Sequence, residues 1–101
     1  MSFQEVLQAD RRLVILRLLH QAPAYALNSS ILLTGLEELG HRVSRDLVET
    51  ELAWLGEQGL VELEPVHTTT KRIVVATLTD RGLDVQAGRA TVPGVKRPSP
   101  R

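Results

Sequence analysis

Val43-Ser44-Arg45-Asp46-Leu47-Val48, running on through Leu52, Trp54 and Leu55 to Glu57-Gln58-Gly59-Leu60-Val61, is the stretch on which the fold turns. Ser44 can accept a first-turn amide, and Gly59 can take the left-handed conformation that ends a helix, so the segment predicts a helix over 44–58. Val48, Leu52 and Leu55 fall on one apolar stripe, with Leu47 and Trp54 making a second beside it. Arg45, Asp46, Glu49, Thr50, Ala53 and Glu57 are left facing outward. Just upstream, Asn28 caps a helix over 28–39, with Leu32, Leu36 and Leu39 at helical spacing and Gly40 past its end. Two helices joined by the short turn His41-Arg42-Val43 make a helix-turn-helix pattern.

Downstream the period changes from helical to alternating. Val61-Glu62-Leu63-Glu64 alternates as a half-buried strand does, and Pro65 places that end at an edge. A polar loop, His67 to Lys71, leads into Arg72-Ile73-Val74-Val75-Ala76-Thr77-Leu78, whose β-branched residues predict the return strand. A two-stranded wing is therefore expected over 61–66 and 72–78. Thr79 caps a short helix over 79–87, closed by Gly88.

Outward in the other direction, Ser2 and Glu5 have capping-box spacing, so a first helix is expected over 3–20, ending before Pro23. Ile15, Leu16 and Leu19 form one face, while Leu13, Val14 and Leu18 point largely the other way. A helix apolar nearly all round is covered on more than one side. The expectation is a homodimer in which Leu13, Val14 and Leu18, with Leu83 of the last helix, meet a second copy.

The chain has 101 residues, room for one domain, and no cysteine, which excludes disulfides and thiolate chemistry and fits a reducing cytoplasm. Its densest apolar run, Leu13 to Leu19, is interrupted by Arg17 and too short to span a bilayer. The formal net charge is zero but unevenly placed: every acidic residue lies at or before Asp84, and Arg89, Lys96, Arg97 and Arg101 follow it. From Thr91 onward, prolines, glycine and basic residues read as a disordered tail. The organisation expected is a winged helix-turn-helix domain over 1–90 and a disordered basic tail over 91–101, a mainly α fold with a β-hairpin wing.

Asp10 through Leu19 resembles the opening helix of ArsR-like repressors, and Val43 to Val61 resembles the recognition helix and first wing strand of the ArsR and MarR regulators. Leu78-Thr79-Asp80-Arg81-Gly82 is similar to the threonine-capped turn after the wing in many of them. The whole chain, including Val92-Pro93-Gly94-Val95-Lys96-Arg97-Pro98, also resembles small proteins encoded in Mu-like prophages. The ArsR and MarR resemblance implies a DNA-binding transcription regulator; the prophage resemblance implies a bacterial or phage cytoplasmic protein and brings no activity with it.

In such proteins the second helix of the motif enters the major groove. The residues expected at double-stranded DNA are Arg42, Ser44, Arg45, Asp46, Glu49 and Thr50, with Thr69, Lys71 and Arg72 from the wing. The outward face of that helix is poor in cations, and carboxylates there are repelled by the phosphates. This keeps a second reading open, a winged helix that docks a protein partner instead of DNA. Trp54 is expected to pack between that helix and the wing, or else to anchor an interface. His20, His41 and His67 lack metal-site spacing and are expected to be exposed or capping, so no metal, cofactor or catalytic site is expected. Neither a phosphate-binding glycine loop nor a nucleophile elbow occurs, and an enzyme is the weakest reading.

Overall fold

The computed structural model describes residues 1–99. Its elements run α1 (Phe3–Gln21), β1 (Ala26–Asn28), α2 (Ser29–Glu38), α3 (Arg45–Glu57), β2 (Val61–His67), β3 (Arg72–Leu78) and α4 (Asp80–Gln86). This is a winged helix-turn-helix arrangement. Each helix starts where its cap dictates. Ser2 and Glu5 close a reciprocal capping box on α1, and the side chains of Asn28, Ser44 and Thr79 accept amide protons from Ile31, Leu47 and Gly82.

The sheet has three antiparallel strands in the order β1-β3-β2, where the sequence predicted two. Ala26, Leu27 and Asn28 pair with Thr77, Ala76 and Val75 along the inner side of the wing. Three residues are too few to show an alternation, and Asn28 also caps α2, which hides the strand. A 3-10 turn over Pro23–Tyr25 leads into it, with Ala24 and Tyr25 both at positive φ. The buried Ser29 hydroxyl accepts the Val74 amide at 3.1 Å, tying the start of α2 to the central strand.

Ile15, Leu16 and Leu19 of α1, Leu32 and Leu36 of α2, Val48, Leu52 and Leu55 of α3, and Val74, Ala76 and Leu78 of β3 make one core. The apolar run Leu13 to Leu19 of α1 finds cover within the chain, whereas Phe3, Val6 and Leu7 near its start stay exposed. Leu13 is 1% exposed. Leu18 lies against Gly35 of α2, where a methyl group would come within 2.8 Å of it, and Val14 and Leu83 pack on the core. Of the expected dimer surface, Leu13 is thus buried and Val14, Leu18 and Leu83 are half-buried against the core of the same chain, with α1 packed along both α2 and α4.

The tail is corrected too. Val92 and Val95 are buried members of the core, and the Lys96 amide donates to the Ala9 carbonyl at 3.1 Å. Residues 91–97 thus form a strap across the outer side of α1 that extends the folded unit past residue 90. The last two residues of the expected tail, 100 and 101, lie outside the described residues.

Candidate nucleic-acid interface

The strap and α1 fix how α3 is held. Glu51, on the inner side of α3, is 1% exposed and accepts from Arg11 Nε and Arg12 Nε, each at 2.9 Å. Arg12 also lies over the Trp54 ring and donates to the Gly94 carbonyl at 3.2 Å. Trp54 therefore packs against α1 and the strap, not between α3 and the wing. An i, i+3 pair on α3, Glu51 and Trp54, thus meets a consecutive pair of arginines on α1. The sequence reading missed this cluster because its partners lie about forty residues apart and carry no local pattern.

With Glu51 turned inward, the outward side of α3 keeps Asp46, Glu49 and, at its far end, Glu57 as carboxylates. Arg72, the first residue of β3, reaches Glu49 with Nη1 to Oε1 at 3.3 Å. This ion pair is largely solvent-exposed and contributes little to stability, but it joins α3 to the loop end of the wing and neutralises a carboxylate on the presented face. Arg45 is exposed, and its Nη2 donates to Ser30 Oγ at 3.1 Å, so its guanidinium lies near the start of α2. Arg42 is exposed in the turn and Lys71 in the hairpin loop.

The hydroxyls are more occupied than the sequence suggests. Ser44 Oγ accepts the Leu47 amide at 3.0 Å, and Thr50 donates back to the Asp46 carbonyl at 3.0 Å. Thr69 is exposed near the hairpin tip. The hairpin is shaped by Thr68, whose hydroxyl donates to the Lys71 carbonyl at 2.8 Å and accepts the Lys71 amide at 3.0 Å. The expected DNA-facing residues thus fall on two neighbouring elements, the first half of α3 and the loop end of the wing, linked by Glu49 and Arg72.

The histidines divide. His20 is exposed and stacks on Tyr25 with ring centroids 5.9 Å apart, and His67 is exposed. His41 is buried, contrary to expectation, with Nε2 2.7 Å from Asp10 Oδ2. It pins the helix-helix turn to α1, while Lys96 of the strap reaches the other oxygen of the same carboxylate at 3.3 Å. Burial pushes the Asp10 carboxyl up, but the hydrogen bonds from His41 and Lys96 and their charges outweigh it, leaving its pKa below the ordinary 3.8. Among the described residues, no cluster of three or more His, Cys, Asp or Glu side chains is placed to hold a metal, and no helix is long and apolar enough to cross a membrane.

The fold is shared with solved transcription regulators. A candidate transcriptional regulator from Thermoplasma acidophilum, TA0346, superposes with a TM-score of 0.72 at 20% identity, over 85% of this chain and 80% of that one. A PadR family transcriptional regulator from Eggerthella lenta gives 0.60 at 23% identity, over 83% and 74%. A complex of hsRosR gives 0.60 at 26% identity, over 72% of this chain and 61% of that one. No protein-family model matches the sequence. Among curated sequences, a Haemophilus influenzae protein is 47% identical over 83 residues, 82% of this chain and 78% of its own. Protein gp26 of Escherichia phage Mu is 50% identical over 97 residues, 96% of each chain. With half its residues shared along nearly the whole length, the chain belongs to the same family as phage Mu gp26.

Proposed function

We propose that this protein is a DNA-binding transcription regulator of phage or prophage origin, acting in the cytoplasm, that lays the first half of α3 in the major groove and the wing loop along the adjacent backbone. The observation that carries this reading is the disposal of the α3 carboxylates. Glu51 is buried between Arg11 and Arg12, and Glu49 is paired with Arg72. Arg42, Arg45, Lys71 and Arg72 then stand against Asp46 and Glu49 near the start of α3, with Glu57 at its far end, a balance that favours phosphates at that start. The structural likeness to transcription regulators supports the reading at the level of fold. The ArsR- and MarR-like features of α1 and α3 support it at the same level, since they are features of a winged-helix core.

Residues Arg42, Ser44, Arg45, Asp46, Glu49 and Thr50 form the groove side of this site, and Thr69, Lys71 and Arg72 the backbone side. Two copies of the chain bind together, each presenting one α3, because half-sites one turn apart are read by a symmetric pair.

The test is a titration against duplex DNA flanking the gene, at two salt concentrations. Affinity should fall steeply with salt. Lys71→Ala should weaken binding to all sequences and lower the salt slope by about one, whereas Arg45→Ala should also change sequence preference. Binding that ignores salt, or that both variants leave intact, overturns the proposal and favours a protein-docking winged helix.

A further inference from the structure

The outer end of α1 is apolar where no described residue covers it. Phe3 is 74% exposed, and Val6 and Leu7 are exposed beside it. Between the first turns of α1 and the strap lies a groove of about 480 Å³, with Val6 and Ala9 on the helix side and Pro93 and Val95 on the strap side. Its charged lining is Glu5 from the helix and Lys96 and Arg97 from the strap. Lys96 is engaged by Asp10. Among the described residues, Arg97 has no ion-pair partner, and the Glu5 carboxylate meets only Ser2.

We infer that this groove receives the outer end of α1 from a second copy of the chain, an assignment that rests on the paired-copy reading above and gives it its surface. Phe3, Val6 and Ala9 lie on one i, i+3 ridge of α1, the kind of row that seats in the groove of a facing helix. An antiparallel crossing centred on Val6 sets Phe3 of each copy over Ala9 of the other, large against small, and Val6 against Val6 on the two-fold axis. The contact is isologous and closes at two copies. The same operation brings Glu5 of one copy toward the strap of the other, where Arg97 awaits a carboxylate, so the surface is complementary to itself in charge as well as shape. The groove is incomplete in one chain: the phenyl ring that fills it comes from the second copy. Ile31 on α2 and Leu63 on β2 are single exposed apolar residues elsewhere and are ordinary surface.

Sedimentation velocity of the full chain tests the inference. The unaltered protein should sediment as two copies. Phe3→Glu should sediment as one with its circular dichroism unchanged, and Ile31→Glu should remain paired. Because the chain has no cysteine, Val6→Cys reports the axis directly. It should form an intermolecular disulfide under mild oxidation several-fold faster than Ile31→Cys, and this decides the matter if Phe3→Glu does not fold. An unaltered chain that sediments as one copy, a Phe3→Glu variant that stays paired, or equal crosslinking at positions 6 and 31 overturns the inference. The DNA reading fails separately. A chain that pairs through Val6 but ignores DNA sinks only that reading, and one that binds DNA while pairing elsewhere sinks only this one.

Discussion

The Arg12 guanidinium carbon lies 3.7 Å from the centroid of the Trp54 ring. The same side chain donates to Glu51 and to the Gly94 carbonyl, so one residue of α1 holds a carboxylate and an indole of α3 and the backbone of the strap. A guanidinium suits this task because its planar fork stacks on an aromatic face while its edge still donates hydrogen bonds.

Removing the carboxylate at the centre of this cluster should be costly. Glu51→Ala leaves two arginines, each with a side chain about a tenth exposed, without their shared partner. The expected loss is about 3 kcal/mol of unfolding free energy, measured by urea denaturation. Arg11→Ala should cost less, about 1 kcal/mol, since Arg12 still satisfies the carboxylate. Equal losses in the two variants would show that Glu51 is not the hub.

Gly94 and Gly40 separate backbone strain from crowding. Both have positive φ, +99 at Gly94 and +93 at Gly40, but only Gly94 is crowded: a methyl group there would sit 2.9 Å from Arg12 Nη1 and 3.0 Å from Trp54, whereas nothing lies within 4 Å at Gly40. Gly40→Ala should cost about 1 kcal/mol for the left-handed conformation alone, and Gly94→Ala clearly more. Trp54 is the only tryptophan, so Gly94→Ala should also shift its emission to the red as the strap lifts, and Gly40→Ala should not.

The depressed Asp10 pKa makes an acid-side prediction. Burial acts to raise it, and the hydrogen bonds from His41 and Lys96 overcome that effect. The folded chain thus holds this proton less tightly than the unfolded one. The stabilisation is present above the unfolded value near 3.8 and is lost as pH falls through the lower folded value. Asp10→Asn should flatten the fall of stability across this acid range. An unchanged slope would mean that other carboxylates carry it.

Glu49→Gln probes the presented face of α3. It removes the carboxylate that Arg72 neutralises and leaves a free cation at the loop end of the wing. Duplex affinity should rise, and the salt slope should steepen by about one counterion. Weaker binding in this variant would instead assign Glu49 to a base contact, as acceptor from a cytosine amino group.

What the sequence made legible was local. Ser2 with Glu5, Asn28, Ser44 and Thr79 announce helix starts through hydrogen bonds spanning three residues, and all four appear as caps. The return strand 72–78 is legible through its β-branched run. What escaped was non-local or too short. The pairing of Ala26–Asn28 with β3 bridges about fifty residues, and Glu51 reads as one more helix carboxylate until Arg11 and Arg12 are seen around it. Prolines and cations gave residues 91–97 a disordered look, although Val92 and Val95 are spaced to drop two side chains into the core. Leu13 and Leu18 read as partner-facing because α2 and α4, which pack along α1, cannot be placed by pattern alone.

The hydrogen bond from Lys96 to Ala9 has a consequence for how the molecule comes into being. It joins positions at opposite ends of the described chain, so a nascent polypeptide still threaded through the ribosome can fold its helix pair and hairpin yet leave one face of the indole bare. Translation must pass residue 97 before the last seam shuts. A message broken off before codon 92 yields a product with solvent in the place of Val92 and Val95, a target for proteases.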